Sequence, residues 1–115
     1  MNKAFEKIAL IEGMIAAAFL SENGELAGWC ANSVISSDNL CFIAETCRVI
    51  LSANRAEQRL AHTGTVAFGN RTLVFREGPQ GLFLAYLDSP TNDAVLQWLF
   101  DQVCPLLEAE GVKLY

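Results

Sequence analysis

Residues 65–88 read TVAFGNRTLVFREGPQGLFLAYLD, and this stretch decides the architecture. Three runs rich in β-branched and aromatic residues are separated by Gly69-Asn70 and by Gly78-Pro79-Gln80-Gly81, both of them turn signals. The spacing predicts an antiparallel meander of Thr65–Phe68, Arg71–Glu77 and Leu82–Asp88. Leu82–Leu87 is apolar at both parities, so both of its faces must be covered and it belongs inside the sheet. Arg71–Arg76 is mixed. Thr65–Phe68 is short and runs straight into a turn, as an edge strand does.

Working outward, Met14–Leu20 is again apolar at both parities, and Glu22-Asn23-Gly24 turns it into Glu25–Ala31 as a hairpin. Every strand connection within 14–31 and 65–88 is a hairpin, which makes the sheet largely antiparallel. Residues 2–11 suggest a short amphipathic helix with Phe5, Ile8 and Ala9 on one face, stopped by Gly13. Ser36, Ser37 and Asp38 offer an N-cap for a long helix to about Ala61. Ser89-Pro90-Thr91 is expected to cap a last helix from about Asn92, which Pro105 should kink or end near Cys104. The order is αββαβββα, an α+β fold. With no repeat, linker or low-complexity tract, residues 1–115 read as a single domain.

The long helix carries more than one apolar face. At 100° per residue, Leu40, Ala44, Cys47 and Leu51 form one stripe, while Phe42, Val49, Ala53, Ala56 and Leu60 form a second, centred nearly opposite. Arg48, Ser52, Arg55 and Arg59 run between them. A helix lying on the sheet of a monomer needs one apolar face. Either the other helices of the domain cover the second stripe, or a partner chain does. The open edge at Thr65–Phe68 favours the partner, because one symmetric contact would cover both features. The expected dimer surface is therefore Phe42, Val49, Ala53, Ala56 and Leu60 with Thr65, Val66, Ala67 and Phe68. Composition agrees: 52% of the chain is apolar without counting its eight glycines, against a typical ~45–50% with glycine included.

Other classes are disfavoured. Eight Lys+Arg against thirteen Asp+Glu leave a net charge of −5, which gives no electrostatic hold on nucleic acid. No apolar run approaches the ~18 residues of a membrane span. Lys3 and Lys7 before Met14–Leu20 loosely mimic a signal peptide, but Glu12 and Gly13 split the apolar stretch. Cys30, Cys41, Cys47 and Cys104 include no C-x-x-C pair, and His62 lies near none of them, so neither a zinc site nor a Cys/His dyad is expected. Thiols of this spacing suit a reducing cytoplasm. His62 is expected to complement the C-terminal dipole of the long helix. No G-x-x-x-x-G-K-[ST] loop occurs, so this chain is not itself a nucleotide-binding GTPase, and no cofactor is expected. Arg48, Arg55 and Arg59 form either a solvated flank or a contact for an acidic partner. Trp98 falls away from the inward stripe Leu96, Leu99, Phe100, Val103 and Leu107, and is either covered by the first helix or a partner anchor. Trp29 invites the same two readings.

The order of elements, Ile11-Glu12-Gly13 leading into an apolar strand, the turn Ser21-Glu22-Asn23-Gly24-Glu25-Leu26-Ala27, and a long helix ending in Ala53-Asn54-Arg55-Ala56-Glu57 together resemble the roadblock/light-chain-seven family over about residues 2–110. The resemblance implies a five-stranded antiparallel sheet with the long helix on one face and both terminal helices on the other. It also implies pairing through the long helix and the following edge strand into a ten-stranded sheet. Members of this family are non-enzymatic scaffolds in dynein light chains and signalling complexes, and bacterial partners or regulators of small Ras-like GTPases. The expected function is a homodimeric cytoplasmic adaptor for such a GTPase or for a motor or signalling assembly. The alternative is a profilin-like or PAS-like small-molecule sensor, with its ligand between helix and sheet.

Overall fold

The computed structural model of the chain describes residues 1–32, 37–56 and 62–115. Its elements are α1 (Asn2–Ile8), β1 (Met14–Ser21), β2 (Leu26–Ala31), α2 (Ser37–Ala56), β3 (Thr63–Phe68), β4 (Arg71–Gly78), β5 (Gly81–Leu87) and α3 (Asp93–Glu108). The strands form one antiparallel sheet in the order β2-β1-β5-β4-β3. The two strands apolar at both parities, β1 and β5, lie side by side within it, and β2 and β3 are its edges.

The sheet has two unlike faces because successive side chains alternate between them. Phe19, Phe83, Val74 and Ala85 point to the side covered by α1 and α3, where they meet Phe5, Ile8, Leu99, Phe100, Val103 and Leu107. Phe83 is fully buried between two rings, 6.5 Å from Phe5 and 6.1 Å from Phe100 between centroids. The opposite face carries Leu20, Leu73, Phe75, Leu82 and Leu84 against Ala44 and Cys47 of α2. Beside them, Leu40 of α2 packs on Ala16 and Ala18 of β1. Those alanines are what let α2 lie close. It lies over β1, β5 and β2, and its Ala44 and Cys47 reach across to Leu73 and Phe75 of β4.

Several boundaries differ from the sequence reading. α1 closes at Ile8, and the chain then turns through Gly13 at φ +85°. β3 starts at Thr63 rather than after Gly64. Gly64 stands inside the strand because the Phe75 ring lies over it, so near that a Cβ would collide. The cap of α3 is Asn92, whose Oδ1 accepts from Val95 N at 2.9 Å, and not the preceding Ser-Pro-Thr. Asn92→Ala is expected to destabilise the chain by about 1 kcal/mol in urea unfolding. Pro105 neither ends nor splits α3. The helix continues to Glu108, with Ala109 N donating to Pro105 O at 3.1 Å. Proline forfeits one bond to the carbonyl four residues back, and Asp101 is exposed, so water can satisfy that group. The proposed cap at Ser36, and the helix beyond Ala56, lie outside the described residues.

Candidate interaction surface

Leu40, Ala44 and Cys47 are buried under α2, whereas Phe42 is 74% and Val49 66% exposed. Ala53 is exposed as well. The two stripes separate as their spacing predicts on one flank only. There Cys41, Glu45, Arg48 and Ser52 divide them, and Arg48 reaches down to the β1–β2 turn. Its guanidinium donates to the carbonyls of Ser21 (2.9 Å), Glu22 (3.2 Å) and Leu20 (3.4 Å). This partner-contact candidate is half-buried and held by the turn of its own chain.

On the other flank the stripes are joined. Ile43 and Ile50, seven residues apart, continue the apolar surface from Cys47 round to Phe42 and Val49. They face Val66, Leu73 and Tyr86 of the sheet. Phe42, Ile43, Thr46, Cys47 and Ile50 from the helix, with Val66, Leu73 and Tyr86 from β3, β4 and β5, enclose an open groove of about 430 Å³. Thr46 and Tyr86 bring hydroxyls to it; the rest of its lining side chains are apolar. Thr46 turns its hydroxyl back to the Phe42 carbonyl at 3.0 Å. The groove ends at β3, where Thr65 and Ala67 are exposed and Val66 is half-buried.

Of the expected surface, Phe42 of α2 and Val66 of β3 share the groove, Val49 and Ala53 are exposed on α2, and Thr65 and Ala67 are exposed on β3 with their side chains on the sheet face opposite Val66. Leu60 and Arg59 lie outside the described residues, as do the side chains of Ala56, Arg55 and Phe68. The sequence reading missed Ile43, Ile50, Leu73 and Tyr86. The i, i+7 spacing of the two isoleucines was the available signal. The two strand residues had none, because only the lateral placement of α2 sets them at the groove.

The remaining reactive groups are the four cysteines and His62. Burial pushes the Cys47 thiol up to about 11, away from the thiolate a nucleophile requires. Burial also raises Cys30, and raises Cys104 against the opposing pull of Arg76. All four cysteines are free. A folded-state value above the unfolded one means that the stability linked to Cys47 is intact below pH 9 and is lost as pH rises toward 11. Thermal melts between pH 8 and 11 should fall over that interval, and less steeply for Cys47→Ala. His62 stands at the head of β3, its Nδ1 3.8 Å from Glu77 Oε2 and its ring 4.6 Å from that of Tyr115. Its expected role at the end of the long helix falls on a segment outside the described residues. No group of three potential metal ligands occurs among the described residues, and no described helix is long and apolar enough to cross a membrane.

Trp98 is 45% exposed. It shares a shallow depression with Lys7, Leu10 and Gln102, so α1 lies beside it and does not cover it. Trp29 on β2 is exposed to the same degree.

No family model matches the sequence, and no curated protein matches it. Solved structures do match in three dimensions. A Roadblock/LC7 domain from Streptomyces avermitilis has a TM-score of 0.71 at 16% identity, over 95% of this chain and 92% of that one. The gliding protein MglB from Thermus thermophilus has a TM-score of 0.68 at 14% identity, over 93% and 87%. An MglB in a tetrameric arrangement matches with the same TM-score, identity and coverage. The chain has the Roadblock/LC7 fold: αββαβββα, five antiparallel strands, three helices.

Proposed function

We propose that this chain is a non-catalytic adaptor that pairs with a second copy of itself and engages a small Ras-like GTPase or a related motor or signalling assembly in the cytoplasm. The observation that carries the pairing is the continuity of the open groove, the exposed outer stripe of α2 and the uncharged edge strand β3. A two-fold axis at β3 would continue the sheet from one copy to the next and lay Phe42, Val49 and Ala53 of each α2 against the partner. The interface so assigned is Phe42, Val49, Ala53, Ala56, Leu60 and Thr65–Phe68, with Ile43 and Ile50 added from the groove. The tetrameric MglB supports self-association within this fold. Arg55, Arg59 and Trp98 are the candidate contacts to a further partner.

The GTPase part of the proposal rests on what the roadblock/light-chain-seven resemblance implies and is tested by calorimetric titration. A Ras-like GTPase of the source organism should bind at least tenfold more tightly in one nucleotide state than in the other. Equal or absent binding in both states would remove the GTPase and leave the scaffold. The sensor alternative has less support: the 430 Å³ groove is open and offers few converging polar groups to orient a small ligand.

A further inference from the structure

The sheet has two edges, and the proposed self-association uses only β3. The other edge, β2, reads Leu26-Ala27-Gly28-Trp29-Cys30-Ala31, with no charge and no proline. Edges are ordinarily blunted by lysine, by proline or by a covering segment, because an open edge templates the addition of another strand. β2 is hydrogen-bonded to β1 along its inner side. Asn32 N donates to Ile15 O at 2.6 Å, and this sets the phase of the ladder. Gly28 and Cys30 turn their N–H and C=O groups toward β1, while Trp29 and Ala31 turn theirs outward. Among the described residues, no strand pairs with that outer side.

Beside this edge lies a groove of about 520 Å³ between α1 and β2. Phe5, Ala9 and Cys30 line it, Trp29 stands at its lip, and Asn2 and Glu6 border it on the helix. Of the charges of α1, Glu6 borders this groove, Lys7 is on the flank facing Trp98, and Lys3 is exposed and lines neither. Exposed Glu22 and Glu25 add negative charge at the start of β2, and Arg48 is bonded to the carbonyls of that same turn. We infer that the β2 edge is a strand-addition site for an extended segment of a partner protein in which apolar residues are interspersed with lysine or arginine. Backbone bonds to Trp29 and Ala31 hold the segment. Its apolar side chains enter the groove along α1, and its basic ones answer Glu6, Glu22 and Glu25. A second copy is a poorer occupant: two-fold pairing of β2 would set Glu6 of both copies on the same side of the seam. A six-residue edge also covers little of the ~1,200–2,000 Å² that a stable interface buries.

The test uses the full chain and a nine-residue peptide of valines with a pair of lysines at each end, so that lysines fall on both faces of the added strand, with glutamate replacing lysine in the control. Amide exchange followed by NMR should slow at least tenfold at Trp29 and Ala31 with the lysine peptide, and not with the glutamate peptide. By fluorescence anisotropy, Trp29→Pro should abolish binding, since it removes an outward N–H that the fold does not use. Trp29→Ala, which keeps that N–H, should weaken binding only a few-fold, and Glu6→Lys at least tenfold. Self-association measured on the same variants should be unchanged, which separates this site from the β3 surface. Unaltered exchange at millimolar lysine peptide overturns the inference, and this readout needs no variant to fold. Equal binding by a folded Trp29→Pro chain overturns it as well. So does protection already present in the free chain that grows with protein concentration, which would assign the edge to a second copy.

Discussion

Val49→Asp is expected to give a folded chain that no longer associates with itself. Val49 is 66% exposed in the isolated chain, so aspartate there meets water and should alter the stability of the monomer by no more than about 0.5 kcal/mol. At the proposed interface the same position is buried against a second copy. Burying a valine contributes about 1.5–3 kcal/mol, and a two-fold interface carries the substitution twice. Loss of that burial alone corresponds to roughly 10²- to 10⁴-fold weaker association, before the cost of desolvating two carboxylates. Light scattering should show the change in mass. The unfolding midpoint should also lose its dependence on protein concentration, because mass action no longer stabilises the folded state. Phe42→Asp should behave alike. Leu40→Asp, on the inner stripe against Ala16 and Ala18, should instead unfold the chain. An outer-stripe variant that still pairs, or one that unfolds as Leu40→Asp does, would separate α2 from the assembly.

Phe83→Ala is expected to have the largest effect on stability of any single truncation. The side chain is fully buried in β5, and its ring lies between Phe5 of α1 and Phe100 of α3. Its removal leaves a cavity where both terminal helices and the sheet meet. A buried Phe→Ala change costs about 3–5 kcal/mol, set against a total of ~5–15 kcal/mol for a domain. At several degrees per kcal/mol, the midpoint of thermal unfolding should fall by roughly 15 °C. Phe83→Leu, which keeps most of the volume, should cost about 1.5 kcal/mol or less. Urea unfolding in the concentration-independent Val49→Asp background would give both values free of association. A cost below about 1 kcal/mol for the alanine variant would mean that α1 and α3 are not anchored through this ring.

The sheet was legible in the sequence because its signals are local. Residues apolar at both parities mark Met14–Leu20 and Leu82–Leu87 as inner strands, and Gly69-Asn70 and Gly78–Gly81 place the meander turns. Where the reading slipped, a tertiary contact was deciding. The strand read as Thr65–Phe68 begins at Thr63, with Phe75 lying across Gly64. Pro105 looks like a helix breaker until Asp101 is seen to be open to water. The candidate surface was half legible. Heptad-like spacing exposes Phe42 and Val49 as a second stripe, but it cannot reveal that α2 lies over β1, β5 and β2 and borders a groove toward β3. That offset turns Ile43, Ile50, Leu73 and Tyr86 into a groove. For the same reason Arg48 read as a free cation from the sequence, although the turn it grips lies more than 25 residues away.

The central claim is that the outer stripe of α2 and the edge strand β3 form half of an interface with a second copy of this chain. Sedimentation equilibrium of the unaltered protein at micromolar concentration tests it most directly. One chain has a mass of 12.6 kDa. The account predicts a single species of about twice that mass, reduced to one chain by Val49→Asp. A unit of 12.6 kDa throughout the micromolar range would contradict it.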